Sequence, residues 1–221
     1  MGLNMDFTER VIVNSENLDW DPTRMAGVER RKLEREASES GRATTLVRYA
    51  PNSHFSSHTH TGGEEFLVLE GVFSDETGDF GPGSYVRNPI GSVHRPHSDE
   101  GCVIFVKLDQ FDPNDTEYVR IKTTDAPWHP GLVDGLLVMP LHEFGTEHVA
   151  LVKWAPGTQF TRHTHFGGEE ILVLDGVFED EHGNYPKGTW IRNRHASVHT
   201  PFSTEGCTIW VKTGHLPLDE T

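Results

Sequence analysis

The sequence predicts an all-β protein built from two similar halves, and three observations carry that expectation. Its apolar runs are short, as in Phe66-Leu67-Val68-Leu69 and residues 103–108, and rich in side chains that suit a pleated surface. Turn clusters such as Ala50-Pro51-Asn52-Ser53 and Ser74-Asp75-Glu76-Thr77-Gly78-Asp79 punctuate them at close intervals. Finally, residues 58–107 align without a gap on residues 163–212, with about 30 of roughly 50 positions identical, the signature of an internal duplication.

In chain order, residues 1–24 mix polar residues with Val11-Ile12-Val13 and read as an N-terminal arm, too short to fold alone. Residues 25–110 form the first domain. Its run Glu29-Arg30-Arg31-Lys32-Leu33-Glu34-Arg35-Glu36 has helical charge pairs, but Val28 and Leu33 give no sustained apolar stripe, so a strand is expected. Residues 42–49 form the next strand, and residues 103–108 close the half. Residues 111–125 are a polar connector, and residues 126–221 repeat the plan. The acidic hairpins at 74–79 and 179–184 read as solvated turns. Phe66-Leu67-Val68-Leu69 and Ile171-Leu172-Val173-Leu174 are apolar on both faces, which predicts that the two halves pack sheet against sheet.

Composition narrows the function. With 221 residues and 35% hydrophobic content, the chain can form two cores of about 100 residues each. A net charge of -15 argues against nucleic acid and anionic membranes, which need a basic face. No apolar run approaches a membrane span, and Met1-Gly2-Leu3-Asn4-Met5-Asp6 lacks the features of a signal peptide, so a cytoplasmic location is expected. Cys102 and Cys207 occupy equivalent places in the two halves, which speaks against a disulfide; they read as small core residues, with a redox-sensing or pocket-lining thiol as the alternative, and in neither case as metal ligands.

The chemistry concentrates in His58-Thr59-His60-Thr61-Gly62-Gly63-Glu64-Glu65. Successive side chains of a strand alternate, so His58 and His60 share a face, and the glycine pair can swing Glu64 to the same point. His94 follows on a second strand as the fourth candidate. His163, His165, Glu169 and His199 repeat the set at the same spacing, and two copies make accident improbable. Glu65 and Glu170 are the rivals of Glu64 and Glu169, and are read as pointing away or supporting the site from behind. Arg87 and Arg192 are read as partners of nearby acids, with a role in holding an anionic ligand as the alternative. At the site mouths, Pro89-Ile90-Gly91-Ser92 becomes Arg194-His195-Ala196-Ser197, which predicts a more cationic rim and an anion preference in the second half.

The pattern H-x-H-x-x-x-E-x-x-x-x-x-x-G followed by G-x-x-x-x-x-P-x-G-x-x-H resembles the two motifs of cupins. More narrowly, H-T-H-x-G-G-E-E, V-F-x-D-E-x-G, R-N-x-x-x-S-V-H and E-G-C resemble the metal-binding cupin domain of ChrR-type anti-sigma factors, here present twice. The resemblance implies two tandem jelly-roll barrels packed as a pseudo-twofold bicupin, with one divalent metal each. It favours zinc, although three imidazoles and a carboxylate also suit Fe(II), Mn or Ni. ChrR-type proteins grip their sigma factor through an N-terminal helical zinc domain that has no counterpart in these residues, so sigma binding is not carried over.

Two functional classes follow: a zinc-type sensing or regulatory module of transcription control, and an Fe(II)-dependent dioxygenase acting on a small diketone or aromatic acid. A small-molecule ligand, anionic by the rim charge, is the expected partner. The sequence leaves room for an unidentified protein partner and for a homodimer.

Overall fold

A computed structural model describes residues 2–38 and 40–218. Apart from one short 3-10 turn, Ser15–Asn17, the regular structure of these residues is all strand, and none of their helices is long and apolar enough to cross a membrane. The chain divides into two compact units, residues 1–5 with 18–126, and residues 6–17 with 127–221.

Unit 1 centres on an antiparallel sheet in the order Val119–Lys122, Ser84–Asn88, Glu64–Gly71, Cys102–Leu108, Ala43–Tyr49, Val28–Arg35 and Asp21–Pro22. Opposing short strands, Ser53–His54, His97–Ser98, Phe73–Asp75 and Gly78–Phe80, complete the barrel wall. Between them lies a core of Val28, Tyr49, Phe66, Val68, Phe73, Phe80, Val86, Cys102, Ile104 and Val106. Phe66 and Val68 face this core by strand alternation. Leu67, on the other face, is also only 3% exposed.

Unit 2 repeats the plan with Val11–Asn14, Thr189–Asn193, Glu169–Asp180, Cys207–Thr213, Glu147–Trp154, Leu136–Phe144 and His129–Pro130. Its core holds Ile171, Val173, Phe178, Ile191, Ile209 and Trp154. The charged run lies in a strand, Val28–Arg35, whose register shifts between Lys32 and Glu34 and whose Val28 and Leu33 are both buried.

The stretches read as an arm (1–24) and a connector (111–125) both enter sheets. Val11–Asn14 pairs with Thr189–Asn193 in unit 2, and Val119–Lys122 pairs with Ser84–Asn88 in unit 1. Each barrel therefore takes its edge strand from the segment that precedes the other barrel's own strands in sequence. Buried arginines fasten both segments. Arg87 donates to Glu65 (2.9 Å) and Asp115 (2.6 Å) and stacks on Phe111, whereas Arg192 donates to the Asp6 carbonyl (2.6 Å) and stacks on Phe7. The expected pairing with acids holds for Arg87, and Arg192 donates to a backbone carbonyl.

Candidate metal centres

In unit 1 the strand pair formed by His58–Thr59 and Val93–His94 sets His58 directly opposite His94. His60 follows, and its backbone is tied to the turn before His94 by His60 N to Ser92 O (3.0 Å) and Gly91 N to His60 O (2.8 Å). Gly63 adopts φ +80°, and a Cβ there would overlap the Phe111 ring, so only glycine can make this bend. The bend starts the strand Glu64–Gly71 with Glu64 facing the imidazoles.

Four donor atoms converge. His60 Nε2 lies 2.9 Å from His94 Nε2, and Glu64 Oε2 is 3.3 Å from the first and 3.5 Å from the second. The His58 ring centroid is 4.9 Å from that of His60 and 5.0 Å from that of His94. In unit 2, His165 Nε2 and His199 Nε2 are again 2.9 Å apart, Glu169 lies 3.5 and 3.7 Å from them, and His163 stands opposite His199. Three nitrogen donors and one oxygen at such separations suit a divalent ion, because bonds of about 2.1 Å place neighbouring ligand atoms about 3.0 Å apart at right angles and about 3.4 Å apart in a tetrahedron.

The supporting hydrogen bonds leave lone pairs aimed inward. His58 Nδ1–H donates to the Ser56 carbonyl (3.0 Å) and His163 Nδ1–H to the Thr161 carbonyl (2.9 Å), freeing each Nε2 as a ligand atom. His94 Nδ1–H donates to Asp75 (3.0 Å), and His199 Nδ1 faces Asp180 (3.5 Å). Asn88 and Asn193 each donate to the site carboxylate at 2.8 Å and fix its rotamer. These outer partners orient the ligands.

Electrostatics differ within each set. Burial lowers the pKa of His60 and His165, which keeps them neutral and ready to coordinate. Burial also opposes the charged forms of His94 and His199, but their Asp75 and Asp180 hydrogen bonds and the nearby carboxylates outweigh it and raise both. Burial works against the Asp75 carboxylate, yet hydrogen bonds from His94 and Thr77 hold it down at about 2.

All eight sequence candidates thus fall into two clusters of four. Glu65 and Glu170 point away: Glu65 accepts from Tyr85 (2.9 Å) and Arg87, and Glu170 from Trp190 Nε1 (3.2 Å) and His215 (3.0 Å). The hairpin acids need correction, because Asp75 and Asp180 are buried at the backs of the histidines rather than solvated. Asn88 and Asn193 were missed as well, although both recur at matching positions.

The surroundings are not identical. In unit 1, His58, His60 and Glu64 border a cavity of about 370 Å³ walled by Tyr49, Ile104 and Val106 and including Arg30. In unit 2, the His195 Nδ1 accepts from Gly167 N (2.9 Å) and its ring lies against Phe166, so this loop residue is held in place.

The fold resembles that of known structures. The putative dioxygenase of Nostoc punctiforme has a TM-score of 0.76 at 16% identity, over 93% of this chain and 82% of that one. A putative glyoxylate-induced protein from Pseudomonas aeruginosa gives 0.76 at 12%, over 100% and 94%. The oxalate decarboxylase of Lactobacillus farciminis, in a formate complex, gives 0.65 at 13%, over 94% and 86%. A comparison with curated proteins finds no match. The family described as ChrR Cupin-like domain matches residues 8–112 and again 116–217, each match spanning a full repeat together with the strand segment that precedes it. The chain therefore belongs to the ChrR cupin-like family and carries its domain twice, as two tandem all-β cupins.

Proposed function

We propose that the chain is a metal-dependent enzyme acting on a small organic molecule seated in the unit 1 barrel. One observation carries this reading: three of the four candidate ligands of unit 1 border a cavity of about 370 Å³, room for a compact molecule beside the ion. His58, His60, Glu64 and His94 would hold the metal in unit 1, and His163, His165, Glu169 and His199 a second in unit 2. A divalent ion there supplies polarisation of a bound oxygen atom or, for iron, reaction with O2. Tyr49, Ile104 and Val106 supply an apolar wall that binds and desolvates the ligand. The dioxygenase and decarboxylase among the structural neighbours support a reaction of this class on such a ligand.

The test is oxygen uptake by Fe(II)-loaded protein offered small diketones and aromatic acids, with isotopic oxygen traced into product. Dioxygenase activity puts both atoms of O2 into the product. Absence of turnover with metal bound at full stoichiometry would overturn the enzyme reading. A second reading, a zinc-type sensing module, is favoured by the match of both halves to the ChrR cupin-like family. It expects tight zinc binding without turnover and a protein partner recovered in pull-downs.

A further inference from the structure

Among positions that the duplication makes comparable, three charge differences between the units gather at one place. In unit 2, Arg10, His182 and Arg194 line a cleft of about 190 Å³ against Asn193, Ser197 and His199. Arg10 reaches it from the strand segment 6–17 and anchors there, donating to Asp180 (2.7 Å) and to the Tyr185 hydroxyl (3.0 Å). Its buried Nε has no hydrogen-bond partner. Arg194 is exposed, and neither its guanidinium nor the His182 ring has an ion pair or hydrogen bond among the described residues.

No carboxylate lines the cleft. The adjacent acids are occupied: Asp180 holds Arg10, Tyr185 and His199, and Glu181 accepts from Thr200 N (2.8 Å). Unit 1 serves as an internal control. Strand register equates Val11, opposite Arg192, with Val119, opposite Arg87, so Arg10 corresponds to Tyr118. The gapless repeat equates His182 with Thr77 and Arg194 with Pro89. All three cationic or imidazole side chains are thus replaced. The one arginine near the equivalent position of unit 1, Arg120, is committed to Asn88 Oδ1 (2.5 Å) and the Arg87 carbonyl (2.8 Å).

We propose that this cleft, which the candidate ligand His199 borders, binds a small oxyanion, a phosphate or carboxylate group, through Arg10, His182 and Arg194 rather than through a metal ion. Two guanidinium groups and an imidazole offer several N–H donors to one anion, and a guanidinium's planar fork matches two oxyanion oxygens at once. Partial enclosure strengthens the attraction relative to open water. The cleft has room for a single anionic group rather than a nucleotide. It does not depend on the enzyme reading, since either an enzyme or a sensor could carry it.

The test is calorimetric titration of the full chain at low salt with inorganic phosphate and, separately, with acetate, with metal content recorded in each sample. The comparison is with Arg194→Pro/His182→Thr, which installs the residues that unit 1 uses and leaves the metal ligands and the Arg10–Asp180 pair in place. Wild type should bind one anion per chain at least about tenfold more tightly than the double variant, as expected for lost charge-assisted hydrogen bonds. Metal content and melting temperature should stay unchanged. Arg194→Lys, which keeps the charge without the fork, should fall between them and guards against a misfolded double variant. Whichever probe binds more tightly identifies the oxyanion. Equal affinity in wild type and both variants, which would place the anion on the metals or elsewhere, overturns the proposal, as does no binding of either probe at millimolar concentration.

Discussion

Asp75 shows how much one side chain behind a ligand can govern. It accepts the Nδ1–H of His94 at 3.0 Å and so selects the tautomer whose Nε2 faces Glu64 and His60. Asp75→Asn should weaken metal binding in unit 1 by about 10–100-fold, the usual cost of losing such a partner, and leave unit 2 unaffected. Competition with a chelating dye measures it. Sequence patterning placed Asp75 in a solvated turn because hairpin turns of this composition usually are. The clue was its recurrence, since Asp75 and Asp180 both precede their histidine by 19 residues. Cys102 and Cys207 were legible as core residues, and burial pushes both thiols up to about 11. A raised thiol pKa means that the native protein holds them protonated below that value, whereas an unfolded thiol ionises near 8.5. Both should therefore react slowly with a thiol reagent at pH 8 and rapidly once the chain is denatured. Fast labelling of the native protein would contradict the burial argument.

At the level of strands, alternation decides which glutamate is a ligand. Glu64 and Glu65 are neighbours, so one must face the barrel interior and the other the opposite side; the glycine bend at Gly63 sets the phase that turns Glu64 inward. That much follows from local sequence. The equivalent strand of unit 2, Glu169–Asp180, depends on another glycine, because a Cβ added at Gly176, whose φ is +71°, would overlap the Gly206 carbonyl and crowd the Cys207 backbone. A methyl group would meet that backbone carbonyl, with no flexible side chain to move aside. Gly176→Ala should destabilise unit 2 by about 2–3 kcal/mol, combining left-handed strain with the clash. Chemical denaturation followed through a unit 2 tryptophan such as Trp210 or Trp190 would report it, and a change below about 0.5 kcal/mol, the level of a neutral surface substitution, would show that the turn can relax.

Across the whole molecule, two separate cores and two separate ligand sets imply independent sites. His60→Ala should reduce bound metal from two ions per chain to one without unfolding unit 2, as elemental analysis and thermal melts with and without chelator would show. Loss of both ions from that single change would mean that the sites are coupled. The duplication, the strand-built fold and the eight candidate ligands were legible in the amino-acid order because they rest on local features: period-two alternation, glycine bends and a repeated spacing. The exchange of edge strands between barrels, the buried aspartates behind the histidines, the cavity beside His58 and the cationic cleft beside His199 were not. Each joins residues far apart in the chain, as Arg10 and Asp180 are, and local patterns carry no information about which distant segment fills a sheet edge. Packing and hydrogen-bond satisfaction make that choice, and they exist only once the chain has folded.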